Sequence, residues 1–317
     1  VSDIHPEHQA HGDLTARAAT ASVSMAACLL LLKGYAAWAT GSVAMLGSLA
    51  DTALDLVTSL ITLYGVRLAA MPADRDHRFG HGKAEAIAAL FQVGIITFSA
   101  FGIAWRAVQR LAHGDTTAHA EYGIAASLVA IAATLALVLY QRRVIARTGS
   151  VAIKTDYAHY SSDLLLNGSV IVALLLDQYL GFRSADPILG LAIAAWLIWS
   201  AWRASAHAID QLMDKEWPEE KRRRFIDVAA RHPELKGIHD LRTRSSGMHD
   251  FVQFHVWVDP HMTVAEVHKV MDEVEHKLEA EFPGCEVLIH PDPEGHVDHP
   301  GNALVETDVI QEVQEEP

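Results

Sequence analysis

The sequence predicts a mostly α-helical membrane protein: six transmembrane helices followed by a cytoplasmic α/β domain of ferredoxin-like αββαβ order. Three observations carry this reading. The first two thirds of the chain fall into apolar runs of bilayer-crossing length. Net charge is concentrated in the last third. Strand and helix periodicities alternate only there.

The 317 residues are 50% apolar and 20% charged, with a mean hydropathy of +0.15. This excludes a disordered chain, a collagen-like chain and a basic nucleic-acid binder, so no nucleic-acid partner is expected. Two cysteines, Cys28 and Cys285, exclude a disulfide framework and a Cys-rich zinc ribbon. The 19 histidines point to metal or proton handling. Residues 1–210 carry 14 basic and 15 acidic side chains, whereas residues 211–317 carry 11 and 24. The net charge of −14 therefore sits almost wholly on the second segment. Such a surface concentrates cations, and it also keeps a domain soluble.

A bilayer core needs ~20 mostly apolar residues per helix. The expected spans are Ala16–Thr40, Ser42–Ala69, Ala84–Leu111, Tyr122–Arg142, Asp156–Leu180 and Pro187–Ala206. No basic start, short apolar stretch and cleavage site precede them, so no secretory signal is expected. Residues 1–13 are polar and read as a disordered cytoplasmic tail, whose His5, His8 and His11 would capture metal only weakly. Basic residues follow spans 2 (Arg67, Arg75, Arg78, Lys83) and 4 (Arg142, Arg143, Arg147, Lys154), while the alternate loops are poor in them. The positive-inside rule then places both termini in the cytoplasm.

Past residue 210, Pro218-Glu219-Glu220 opens a helix with proline in its first turn and acids at its positive end. It is expected to stop at His232-Pro233. Gly237–Thr243 reads as a strand, Ser245–Met248 as a turn, and Phe251–Asp259 as a strand of period two. Thr263 and Glu266 form a capping box before the helical face Val264, Val267, Met271, Val274 and Leu278. Cys285–His290 gives a last strand, and residues 295–317 show no pattern and read as a disordered tail.

The chemistry lies in the apolar runs. Asp51 and Asp55 are four apart, as are His159 and Asp163, so each pair shares one helix face. Each intramembrane charge costs roughly 2.5–3.5 kcal/mol on insertion scales, which packing alone does not explain. Together they would form an O3N site for a divalent ion, zinc first, with Cd, Fe, Co and Ni as alternatives. The competing reading is a buried hydrogen-bond network without metal. Asp74, His77 and His81, in the loop after span 2, could make a second site or a hydrated turn. His239, His255, His268, His290 and Asp292 come from every element of the last domain and suggest metal binding there.

These segments resemble the cation diffusion facilitators. The resemblance is carried by Ser48-Leu49-Ala50-Asp51-Thr52-Ala53-Leu54-Asp55, by Phe79-Gly80-His81-Gly82-Lys83-Ala84-Glu85 and by His159-Tyr160-Ser161-Ser162-Asp163. Gly237-Ile238-His239-Asp240-Leu241-Arg242-Thr243-Arg244 and Ile289-His290-Pro291-Asp292-Pro293 match a bacterial branch of zinc and ferrous-iron efflux pumps. Pro291 stands where that branch has glutamine. The resemblance covers about residues 14–294. It implies a homodimeric metal/proton antiporter of the bacterial inner membrane, multi-pass, that exports Zn2+ by alternating access. It places Asp51, Asp55, His159 and Asp163 on the transport site and Asp74, His77 and His81 on the loop site. His239, His255, His268, His290 and Asp292 fall on a cytoplasmic site near the dimer interface. Zinc is then both cargo and structural ion, with Fe2+ or Cd2+ as alternative main cargo.

The implied divisions are a 1–13 tail, a 14–210 membrane domain, a 211–294 cytoplasmic metal-binding domain and a 295–317 tail. Protons compete with metal because the ligands must be deprotonated to bind it. An enzyme is not expected, because no His-Glu-x-x-His occurs. A non-transporting membrane metal sensor would not need ligands at mid-membrane depth. An organic-cation carrier would line its site with aromatics.

Overall fold

The computed structural model describes residues 6–40, 43–113, 123–180, 184–231, 236–247 and 249–296. The chain separates into two compact units, one of Gln9–Ile209 and one built on the residues from Asp210 onward.

The first unit is all helix. Its elements are α1 (Pro6–Thr40), α2 (Val43–Ala69), α3 (Ala84–His113), α4 (Gly123–Thr148), α5 (Val151–Leu180) and α6 (Ala185–Leu212). Among the described residues four helical stretches are long and apolar enough to cross a membrane: Ala10–Tyr35, Asp51–Ala69, Ala84–Ala112 and Pro187–Leu212. The helices overrun the predicted spans, because polar turns continue a helix past the hydrocarbon boundary that an apolar window detects. The clearest correction is at the start. Residues 6–13, expected to be a disordered tail, belong to α1, and Thr15 Oγ1 bonds back to the Gly12 carbonyl at 2.9 Å. Residues 1–5 and 297–317, including most of the expected C-terminal tail, lie outside the described residues, as does the expected stop at His232-Pro233.

Small side chains let these helices approach. Ala18 and Ala19 of α1, Val66 of α2, Val144 of α4, and Ala152 and Ile153 of α5 form one buried cluster. Ile96 and Ala100 of α3 meet Ile193, Leu197 and Ala201 of α6 in another. Large apolar groups such as Trp38, Phe98, Trp105 and Trp202 face outward, each more than 60% exposed. The closest approach is at Gly65 on α2, where a Cβ would lie 2.3 Å from the Ala88 Cβ on α3. Gly65→Ala is therefore expected to push α2 from α3 and destabilise the bundle by roughly 1–3 kcal/mol. A lowered melting temperature of the detergent-solubilised protein checks this.

The second unit contains α7 (Glu219–Ala229), β1 (Lys236–Ser246), β2 (His249–Val258), α8 (Val264–Glu281) and β3 (Cys285–Pro293). Its mixed sheet has the order β1-β2-β3, with β1 and β2 antiparallel and β2 and β3 parallel. Parallel neighbours need a crossover, which α8 supplies. Phe225 packs edge-on to Trp217 and Phe254, at 6.0 and 5.9 Å. Met271, Val274 and Leu278 of α8 close the core. The last strand runs three residues past its expected end at His290. It is an edge strand, so Pro291 and Pro293 are accommodated where no ladder N–H is needed.

The expected capping box is formed: Thr263 Oγ1 accepts from the Glu266 N–H, and Glu266 accepts from the Thr263 N–H at 2.8 Å. Thr263→Ala is expected to destabilise this unit by about 1 kcal/mol, read as an earlier urea midpoint with unchanged slope.

Candidate functional site

Among the described residues three groups of metal-type ligands come together, two in the first unit and one in the second. Within the helices, Asp55 of α2 meets His159 and Asp163 of α5. His159 Nε2 lies 3.1 Å from Asp55 Oδ1 and 3.8 Å from Asp163 Oδ2. One ligand atom from each of the three lies within 4.8 Å of the others. His159 is 7% exposed. Asp51, expected as the fourth ligand, stands outside this trio. It sits one helical turn from Asp55 and lines the same cavity of ≈ 450 Å³ as Asp55, His159 and Asp163. Three charged or amide side chains of the cavity lining went unassigned in the sequence: Lys33 of α1, Arg106 of α3 and Asn167 of α5. The signal for Lys33 was available: it is the one charge in the apolar run from Val23 to Thr40.

Polar tethers fix α2 against α5. Ser59 and Tyr160 share a hydrogen bond of 2.7 Å. One turn before His159, the fully buried Asp156 accepts from Ser22 of α1 and Gln141 of α4, both at 2.7 Å, and from Thr62 of α2 at 3.4 Å. Gln92 of α3 donates in turn to Thr62. At the start of α5, Ser150 Oγ donates to the buried Glu85 of α3 at 2.8 Å. Unpaired polar groups are costly in an apolar medium, so such a network sets one register for the five helices it joins.

The loop between α2 and α3 gathers Asp74, His77 and His81. Asp74 Oδ1 accepts the backbone N–H groups of His77 (2.6 Å) and Asp76 (2.9 Å). The His77 N–H chiefly holds this exposed carboxyl below the usual carboxylate range; desolvation opposes it, and the Asp76 N–H and the two imidazoles add to the lowering. His77 Nδ1 and His81 Nε2 each face one Asp74 oxygen at 3.4 Å. His81 Nδ1 is buried and makes no hydrogen bond.

In the second unit the strand register brings the ligands together. His239 on β1 pairs with His255 on β2, and His255 pairs with His290 on β3. The pairing of β1 slips on both sides of His239, and Gly237 and Asp240 flank it with positive φ. Gly237 cannot carry a side chain, because a Cβ would overlap the Trp257 ring. His239 Nδ1 lies 2.7 Å from the Gly237 carbonyl, which can only accept. That bond puts the proton on Nδ1 and leaves the Nε2 lone pair free. Nε2 is buried without a hydrogen bond, 3.3 Å from Asp292 Oδ2. This is the tautomer a metal-ligating imidazole adopts. His255 Nδ1 reaches the same oxygen at 2.8 Å, and His290 Nε2 reaches Asp292 Oδ1 at 3.4 Å. His268, expected with them, is not in this group. It lies on the exposed side of α8, beside the buried Val267, and faces Asp272 at 3.5 Å.

Residues 19–213 match the cation efflux transmembrane domain, and residues 217–294 match the cytoplasmic domain of cation efflux proteins. The chain belongs to the cation efflux family. Among its relatives, the cation-efflux pump FieF of Klebsiella pneumoniae is 40% identical over 286 residues, covering 90% of this chain and 95% of the relative. FieF of Yersinia pestis is 42% identical over 276 residues, covering 87% and 92%. The solved metal-bound C-terminal domain of the CzcD transporter from Thermotoga maritima aligns with 25% of this chain and 95% of its own, at 24% identity and a TM-score of 0.24. A cation efflux protein is a membrane transporter and not an enzyme. The resemblance expected from the motifs on α2 and α5 is therefore correct at the level of the family.

Proposed function

We propose that this cation efflux protein is a homodimeric zinc/proton antiporter of the bacterial inner membrane. Six helices, α1 to α6, cross the bilayer, and both termini are cytoplasmic. In this reading residues 14–210 form the membrane domain and residues 211–294 a ferredoxin-like cytoplasmic domain without its first strand.

The observation that carries the reading is the trio of half-buried Asp55, buried His159 and half-buried Asp163 in a cavity that Asp51 also lines. Two aspartates, an imidazole and a third carboxylate offer hard and intermediate donors together, a set that suits zinc over manganese or magnesium. The cavity binds zinc from the cytoplasm, and a change in the tilt of α2 against α5 spoils the tetrahedron. Protons arriving from outside take the vacated ligands and are carried inward, because the same atoms cannot hold both.

Asp74, His77 and His81 form a second, exposed zinc site. In the second unit His239, His255, His290 and Asp292 hold structural zinc, which neutralises part of the acidic surface where two copies meet. The free Nε2 of His239 supports this assignment. His268 joins from the neighbouring copy or not at all.

Metal-stimulated proton flux in proteoliposomes tests the reading, with Zn, Cd, Fe and Mn offered in turn. The expected result is an outward zinc flux that drives an inward proton flux, with manganese inactive. Zinc movement without any proton movement would exclude antiport.

A further inference from the structure

Lys33 lies in the middle of α1's apolar run, where a lysine near a bilayer ordinarily turns its ammonium out to the interface. Here the ammonium turns inward. Its Nζ donates to Thr52 Oγ1 at 2.7 Å, and Thr52 is 1% exposed. The hydroxyl it meets is next in sequence to Asp51 and three residues before Asp55. Lys33 also lines the cavity that holds Asp51, Asp55 and Asp163, where the exposed Arg106 of α3 is the other cation of the lining. Zinc chemistry has no use for a fixed cation beside its ligands, since the two repel. The presence of that cation therefore needs a reason other than coordination.

We propose that Lys33 is the built-in counter-cation of the cargo cavity: it neutralises the carboxylates when metal is absent and weakens metal binding enough for release. This rests on reading the cavity as the transport site. Of the two cations on the lining, Arg106 is exposed and Lys33 is half-buried and tethered next to Asp51 through Thr52, so Lys33 is the one placed to offset the carboxylates. Without Lys33 the half-buried carboxylates of Asp55 and Asp163 would have only the exposed Arg106 and His159 as balancing groups in the empty cavity, a costly state. A carrier must bind its cargo well enough to load and weakly enough to unload. A ligand set alone would err toward holding zinc. The Thr52 hydroxyl keeps the ammonium within reach of the carboxylates without placing it among the ligand atoms.

The full-length protein in proteoliposomes tests this, with zinc as the probe and KM and kcat read separately. The variants are Lys33→Met and Lys33→Gln, which remove the charge at similar length, and Lys33→Arg, which keeps it. Asp51→Ala serves as the control for the site itself. Removing a unit charge from a partly desolvated cavity is expected to lower KM about tenfold and to lower kcat with it, because zinc is held too long. Lys33→Arg is expected to lie nearer to the parent protein in KM than either neutral variant. A merely structural lysine would lower kcat or raise KM, and it would not lower both. An unchanged or raised KM in Lys33→Met and Lys33→Gln overturns the proposal, and so does a Lys33→Arg that behaves like them. Undiminished flux in Asp51→Ala would overturn the site reading, and the counter-cation role with it.

Discussion

Asp55→Ala is expected to abolish zinc transport while leaving a folded, monodisperse protein. Asp55 is the carboxylate nearest His159, at 3.1 Å, and it is the member of the trio supplied by α2. Its loss leaves His159 and Asp163, both on α5, with Asp51, one turn away, as the expected ligand remaining on α2. Losing one of the expected ligands is expected to lower zinc affinity about a hundredfold, equivalent to about 2.8 kcal/mol. Transport that needs the ligands of both helices at once fails at that point. Folding should be spared, because Ser59–Tyr160 and the Asp156 network hold α2 and α5 together without Asp55. Zinc flux into proteoliposomes, with size-exclusion profiles as the folding check, is the measurement. Flux at the parent level would remove Asp55 from the site.

His159→Asp is expected to change which cation is carried. The imidazole is the one nitrogen donor in the cavity's expected ligand set, and its substitution by carboxylate yields an all-oxygen shell. Such shells favour harder, six-coordinate cations such as manganese over zinc. The ratio of zinc to manganese transport should fall by about tenfold, equivalent to 1.4 kcal/mol of discrimination. An unchanged ratio in competition uptake would mean that the imidazole does not set the choice. The variant also tests whether selectivity resides in ligand chemistry or in the frame around it. The frame, tied by Asp156 to α1, α2 and α4, is untouched by the substitution.

Local signals were legible in the sequence wherever one element decided the outcome. The capping box at Thr263 and Glu266 depends on residues three apart, and it forms as expected. The pairing of Asp51 with Asp55 and of His159 with Asp163 follows from helical spacing alone. The period-two pattern around Phe251–Asp259 identified β2 because one of its faces packs on α8 and the core. What spacing cannot convey is how two elements meet. The packing of α2 on α5 brings Asp55 to His159 and leaves Asp51 one turn away. The slipped register of β1 at His239 decides that His255 and Asp292 meet it, while His268 on α8 does not.

Single charges inside apolar runs were the other weak point. Lys33 is one charged exception in a long apolar window, and Asp156 falls at the expected start of its span; only the fold gives either a partner. The beginning of α1 was missed for the opposite reason. Residues 6–13 are polar enough to read as tail, yet a helix that starts in the bilayer can extend beyond it while its backbone bonds remain satisfied. The same effect lengthens α6 to Leu212, six residues beyond the expected end of its span.

Zinc-edge X-ray absorption on the full-length protein tests the central claim most directly, namely that α2 and α5 together coordinate the cargo. To isolate that cavity, His77 and His81 in the loop and His239 and His255 in the second unit are replaced by alanine. The account predicts one retained zinc with a first shell of nitrogen and oxygen donors near 2.0–2.2 Å. It also predicts the outer-shell signature of a single imidazole, lost when His159→Asp is added. Retained zinc with no imidazole signature, or a signature that survives His159→Asp, would contradict it.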